Sequence, residues 1–225
     1  MNAARLYLAE LLGTFLFLTI GYAAVANFNA STPATAGILV VPFAFGLGLL
    51  AAIFAFGHVS GGHYNPAVTI AMVLDKRTTP FEAVGYIIAQ VIGAVGAGAI
   101  ILIAINQDAV KAGITKPGAG ITDVSALILE ITFTAFFLIV ILTASKRAGS
   151  LAGVAIALAL VAIHFALSTL TGSSVNPARS IGSAVVGGDL NQLWIYLVGP
   201  IVGGIIGWGV YRGVEMAVEE PAAAA

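Results

Sequence analysis

The sequence contains no cysteine. That excludes disulfides, thiolate metal sites and cysteine nucleophiles, and it leaves the redox compartment undefined. Charge is nearly as scarce. Only 8% of the 225 residues are Asp, Glu, Lys or Arg, whereas a soluble domain carries about 25%. A formal net charge of −1 offers no basic face for nucleic acid, and no nucleic-acid motif is present. Gly-x-Ser-x-Gly and His-Glu-x-x-His are both missing, and Ser60 with His63 has no third partner in view, so nothing points to an enzyme, a metal or a cofactor. What fills the chain instead is apolar: 60% of residues are hydrophobic and the mean hydropathy is +1.05. This predicts an all-α protein that crosses a lipid bilayer several times.

Six stretches reach the roughly 20 residues that a spanning helix needs. They are Arg5–Ala26, Gly37–Phe56, Phe81–Ile105, Thr122–Ala144, Ser150–Leu170 and Gln192–Tyr211. The first also looks like a secretory signal, with Arg5 ahead of the apolar run and Ala24-Val25-Ala26 as a small-residue cleavage site. Glu10 inside the run, and a similar Glu-bearing segment in mid-chain, argue for a retained span. Basic residues set the orientation. Arg5, Lys76, Arg77, Lys146, Arg147 and Arg212 fall on one side, and Lys111 and Lys116 on the other. That split predicts a multi-pass protein of the inner or plasma membrane with both termini in the cytoplasm. Residues 106–121 link the halves on the outer side and contain a loop signal, Lys116-Pro117-Gly118-Ala119-Gly120. Residues 213–225 read as a C-terminal tail, of which Glu219-Glu220-Pro221 and the closing alanines look polar and disordered. Asn29-Ala30-Ser31 formally matches a glycosylation sequon and reads as a chance match.

The chain repeats itself. Gly61-Gly62-His63-Tyr64-Asn65-Pro66-Ala67 returns 111 residues later as Gly172-Ser173-Ser174-Val175-Asn176-Pro177-Ala178. Glu10-Leu-Leu-Gly-Thr14 has a counterpart in Glu130-Ile-Thr-Phe-Thr134, and the stretch after Tyr86 has one after Tyr196. Asn is a favoured helix N-cap and Pro is preferred at the first helical position, so both Asn-Pro-Ala copies read as helix starts. The helices they begin, Pro66–Leu74 and Pro177–Val185, are too short to cross a bilayer. Each repeat, 5–105 and 122–212, holds three full spans. Three is odd, so the second copy enters from the opposite face. The expected architecture is one transmembrane domain over 1–225, with six spanning helices and two re-entrant half-helices in an inverted repeat.

Broken helices at membrane depth are tolerated where they are buried in protein or line a watery cavity. Half-helices entering from opposite faces bring their N-termini together near the centre, each with a partial charge of roughly +0.5. Two such ends repel cations, hydronium included. Asn65 and Asn176 can cap their helices through the side-chain oxygen while turning N–H groups into a lumen. A water that accepts both bonds has its hydrogens turned away from the centre, which interrupts proton hopping. That chemistry suits a neutral solute.

With its paired Asn-Pro-Ala motifs, Ser60-Gly-Gly-His-Tyr64 before the first and Arg179-Ser180 after the second, the sequence resembles the aquaporins, the major intrinsic protein family, from Glu10 to Tyr211. The resemblance implies an aquaporin-like bundle, one pore per subunit, water as the permeant and a homotetramer. It also implies a selectivity constriction, carried over by spacing from the two Asn residues to Phe45, His164, Ser173 and Arg179. An aromatic, a His and an Arg resemble the water-selective branch, as do Ser180, Ala184 and Tyr196. Leu197 resembles glycerol channels, and Ser173 stands where Cys or Thr is frequent. With no thiol anywhere, mercurials should not block the channel through one.

Several side chains keep two readings. His58 and His63 either line an inner vestibule or brace the loop. Glu10 and Glu130 are acids inside the membrane, which marks them as functional suspects. They could relay protons or accept hydrogen bonds from the re-entrant loops, and the resemblance implies the second role. A coupled transporter with inverted repeats is the rival class. Neutral Asn at both breaks, together with Arg179, gives it no evident cation site.

Overall fold

A backbone in lipid has to satisfy its own hydrogen bonds, and this chain does so with helices. The computed structural model describes residues 3–31 and 34–223, the side chains of 29–36 and 217–223 excepted, and among them there is no strand. Six elements are long and apolar enough to span: α1 (Ala3–Ser31), α2 (Ala34–Ala52), α5 (Pro80–Ala104), α7 (Asp123–Arg147), α8 (Ala152–Thr171) and α10 (Leu193–Ala223). A π-turn at Ile53–Gly57 and a single turn, α3 (His58–Ser60), prolong α2. The short elements are α4 (Pro66–Leu74), α6 (Gln107–Ala112) and α9 (Pro177–Gly187).

The half-helices start where the caps predict. Asn65 and Asn176 are both extended, and their side chains accept from the N–H of Ala67 and Arg179. Two expectations need correction. The outer connection is not all loop: Asn106 caps α6 by accepting from the Ala109 N–H, so the first part of the connection becomes a helix. The stretch read as a polar tail continues α10 as far as Ala223. Its Ala, Met and Glu are good helix formers, and Glu215 ties it to α7 by ion pairs with Lys146 (2.6 Å) and Arg147 (2.9 Å). The side chains of Asn29, Ser31, Glu219 and Glu220 lie outside the described residues.

Packing follows the repeat. α1 lies on α5 and α2, α7 lies on α10 and α8, and α2 meets α8 between them. The half-helices cross over, with α4 chiefly on α10 and α9 chiefly on α5. Gly199, Gly203 and Gly207 make one of these contacts possible. A methyl on Gly203 would sit 2.3 Å from the Ile131 carbonyl, and one on Gly207 would sit 2.5 Å from that of Ala135, so α10 and α7 touch backbone to backbone. Close approach of this kind is the usual reason for small residues between membrane helices.

Candidate functional site

The stretches ahead of the two half-helices fold alike, residue for residue. Gly61 and Gly62 have φ of 91° and 67°, and Gly172 and Ser173 have 76° and 48°. Tyr64 and Val175, just before the capping Asn residues, have φ of 50° and 43°. A left-handed Val is rare, because its branched Cβ crowds the backbone, and such residues cost of order 1–3 kcal/mol each. Two buried carboxylates hold these turns. Glu10 accepts from Ser60 Oγ (2.6 Å), the His63 N–H (2.9 Å), the Tyr64 N–H (2.7 Å) and Gln90 Nε2 (2.7 Å). Glu130 accepts from Thr171 Oγ1 (2.7 Å), the Ser174 N–H (3.0 Å) and the Val175 N–H (2.8 Å). The oxygens of both acids are thus taken up by hydrogen bonds, most of them from the re-entrant stretches.

The N-terminal tips of α4 and α9 meet. Asn65 Nδ2 donates to the Val175 carbonyl at 2.8 Å, and Asn176 Nδ2 donates to the Tyr64 carbonyl at 2.9 Å. Each strained residue is therefore held at its N–H by a carboxylate and at its carbonyl by the Asn of the other half. A carboxamide has two N–H groups, so each Asn keeps one beyond this bond.

Beside the tips lies a cavity of about 200 Å³ that reaches from Ser145 and Ile156 past His63, Asn65 and Asn176. A second cavity, of about 240 Å³, is bordered by Val25, Ile38, Ile114 and Ser168. Three residues border both: Phe45, His164 and Arg179. These are three of the four side chains that register placed in a constriction. Phe45 and His164 stack with ring centroids 4.6 Å apart and planes 25° apart, which leaves no gap between the rings. His164 Nδ1 is bonded to the Leu160 carbonyl at 3.0 Å, which fixes the imidazole. The Arg179 guanidinium lies 5.2 Å from the centre of the Phe45 ring and donates to the carbonyls of Gly113 and Gly172. His164 Nε2 and Arg179 Nε are buried there with no hydrogen-bond partner among the described residues.

The remaining candidates divide. Ser173 is fully buried, its Oγ has no hydrogen-bond partner among the described residues, and it borders neither cavity. His63 borders the first cavity and bonds Thr69 at 3.1 Å. His58 is exposed and is not among the residues around either cavity. Pro66, Ala67, Pro177 and Ala178 are all buried in the first turns of α4 and α9.

Residues 1–211 match the family described as major intrinsic protein. The chain belongs to that family. Aquaporin Z of Photorhabdus laumondii subsp. laumondii is 43% identical over 218 residues, covering 91% of this chain and 94% of that protein. The glycerol uptake facilitator protein-like 6 of Lactiplantibacillus plantarum is 40% identical over 213 residues, covering 90% and 94%. Aquaporin-4 of Mus musculus is 38% identical over 212 residues, covering 92% of this chain and 66% of that protein. Among solved structures, the aquaglyceroporin from Plasmodium falciparum superposes with a TM-score of 0.86 at 24% identity, over 96% of this chain and 98% of that one, and so shares the fold. This major intrinsic protein is thus a multi-pass membrane channel of the aquaporin type.

Sequence reading missed some of the residues that hold the site. Gln90 donates to both Glu10 and Thr69, and Thr115 bonds Ser180 at 2.7 Å in the other half. Gln90 carried a signal, since an amide in the middle of an apolar span needs a partner there. Tyr22, whose hydroxyl donates to the Arg179 carbonyl, had none, because a Tyr in an apolar helix is ordinary.

Proposed function

We propose that this channel conducts water in single file and excludes protons and ions. The observation that carries the reading is the junction of the two cavities at Phe45, His164 and Arg179, where two buried polar atoms lack protein partners. A buried polar group left unpaired costs about 1–3 kcal/mol. Such a junction favours a solute that forms hydrogen bonds as it passes. The stacked rings leave no space between them, and a constriction built on such a pair suits water better than glycerol. Arg179 supplies a permanent positive charge, and the partners named for it are carbonyls and a hydroxyl, so the charge acts on the passage and opposes cations.

At the Asn pair, the positive ends of α4 and α9 face one another. A water accepting the remaining N–H of Asn65 and Asn176 turns its hydrogens outwards, and no proton is handed through the centre. In this reading Asn65, Pro66, Ala67, Asn176, Pro177 and Ala178 form the pore centre. Phe45, His164, Ser173 and Arg179 form the constriction, and Glu10, Glu130 and His63 brace the loops. His58 stays a vestibule candidate by sequence position alone.

The channel is one domain of two inverted repeats, 5–105 and 122–212, and the matched Glu10 and Glu130 networks support that division. Family membership favours a homotetramer in the inner or plasma membrane, and the six-to-two split of basic residues favours cytoplasmic termini. A second reading is a facilitator of glycerol or other small neutral solutes. Leu197 and the 40% identical glycerol uptake facilitator-like relative favour it. Stopped-flow light scattering on proteoliposomes separates the two. With an impermeant osmolyte, shrinkage should be fast, linear in the gradient and of low activation energy, and with glycerol no rapid re-swelling should follow. Rapid re-swelling would select the second reading.

A further inference from the structure

Two consecutive residues of α1 lie directly behind the junction, and nothing in the Asn-Pro-Ala motifs or their register points to them. The first is Gly21. A methyl built there would lie 2.4, 2.6 and 2.7 Å from three atoms of the Phe45 ring, so the ring rests flush on the glycine backbone. On its other face Phe45 stacks on His164 at 4.6 Å. Phe17 and Tyr22 stand edge-on to it at 6.0 and 6.5 Å. The Phe45 ring is therefore clamped between α1 and the imidazole, and His164 cannot retreat freely because Nδ1 is held by the Leu160 carbonyl.

The second is Tyr22, which is 3% exposed. Its hydroxyl donates to the backbone carbonyl of Arg179, and the guanidinium carbon lies 5.5 Å from the centre of its ring. Ser183 Oγ also bonds that carbonyl, at 3.3 Å, and accepts from Nη1 at 3.3 Å. Tyr22 is the contact that reaches Arg179 from a different part of the chain and touches both its backbone and its charged end.

We infer that Gly21 and Tyr22 are the positioning residues of the constriction, Gly21 fixing how far the Phe45 ring stands from His164 and Tyr22 fixing where the Arg179 guanidinium lies, so that this pair on α1 sets the size cut-off of the channel. The inference rests on the reading of Phe45, His164 and Arg179 as the constriction. An alanine at position 21 has to displace the Phe45 ring by about 1 Å to reach ordinary contact distance. Movement away from Gly21 carries the ring towards His164 and the junction of the cavities. Removing the Tyr22 hydroxyl keeps the aromatic face under the guanidinium but cuts the bond that ties the Arg179 carbonyl to α1, leaving that carbonyl to Ser183 of its own helix, which lets the first turn of α9 shift.

The test uses the full chain in proteoliposomes, with water and glycerol permeabilities measured on each variant and monodispersity on size exclusion as the check on folding. Gly21→Ala should lower water permeability several-fold, and adding Phe45→Leu should restore it, because the smaller side chain removes the overlap. Tyr22→Phe should raise the ratio of glycerol to water permeability several-fold. A monodisperse Gly21→Ala channel with unchanged flux, or with reduced flux that Phe45→Leu does not restore, overturns the role of Gly21. An unchanged ratio in Tyr22→Phe overturns that of Tyr22. Phe45→Ala alone separates failure of the inference from failure of the underlying reading. If it leaves both permeabilities unaltered, the constriction itself lies elsewhere.

Discussion

Asn65 and Asn176 are locked to each other's half of the chain: each caps its own helix with its oxygen and donates an N–H to the carbonyl just ahead of the other. The two halves thereby hold one another's strained turns. The caps are unequal, at 2.9 Å to the Ala67 N–H and 3.3 Å to the Arg179 N–H.

Replacing either Asn with Ala removes a cap and a cross-link, each worth about 1 kcal/mol. Asn65→Ala should cost more stability, because its cap is shorter. Asn176→Ala should disturb selectivity more, because its cap lies on the N–H of Arg179. Thermal unfolding in detergent ranks the first effect, and the glycerol-to-water permeability ratio ranks the second.

Glu10 accepts four bonds and Glu130 three. A Gln at either position turns one acceptor into a donor facing donors, and bonds to a charged group are worth about 1.5–3 kcal/mol each. Glu10→Gln should therefore lower the yield of folded protein more than Glu130→Gln. Neither should change proton conductance in the fraction that folds. A loss of proton current on substitution would revive the relay reading.

Arg179→Val removes the guanidinium charge at the junction of the cavities and its bonds to the Gly113 and Gly172 carbonyls. Cation or proton leak should rise, read as dissipation of an imposed pH gradient in liposomes. An undisturbed gradient would mean that the barrier rests on the Asn pair alone.

His164→Gly deletes the ring stacked on Phe45 and opens the space beside Arg179. Glycerol permeability should rise several-fold while water permeability is kept. A channel still closed to glycerol would place the size limit at another depth.

Mercuric chloride should leave water flux intact, since there is no thiol to attack. Rapid block reversed by a thiol reagent would contradict this.

Sequence reading reached the features that depend on neighbours along the chain. Hydropathy marked the six spans, and the Asn-Pro pairs marked the starts of α4 and α9 at Pro66 and Pro177. It stopped short where local propensity and tertiary contact diverge. Ala-rich residues beyond Tyr211 continued as helix once Glu215 met Lys146 and Arg147, and Asn106 capped a helix within what reads as loop.

By itself, then, the sequence determined the count of spanning helices, the doubling of the motif and the identities of the residues that converge, because burial in lipid and helix capping act over a few residues or one turn. The tertiary structure alone decided which side chains meet where the two cavities join. The Tyr22 hydroxyl reaches the Arg179 carbonyl across 157 residues, Asn65 reaches Val175 across 110, and Ser173, equal to its companions by spacing, borders neither cavity. Contacts of that kind arise only when separate helices pack, and no pattern along the chain encodes the distance between two surfaces that meet for the first time in the fold.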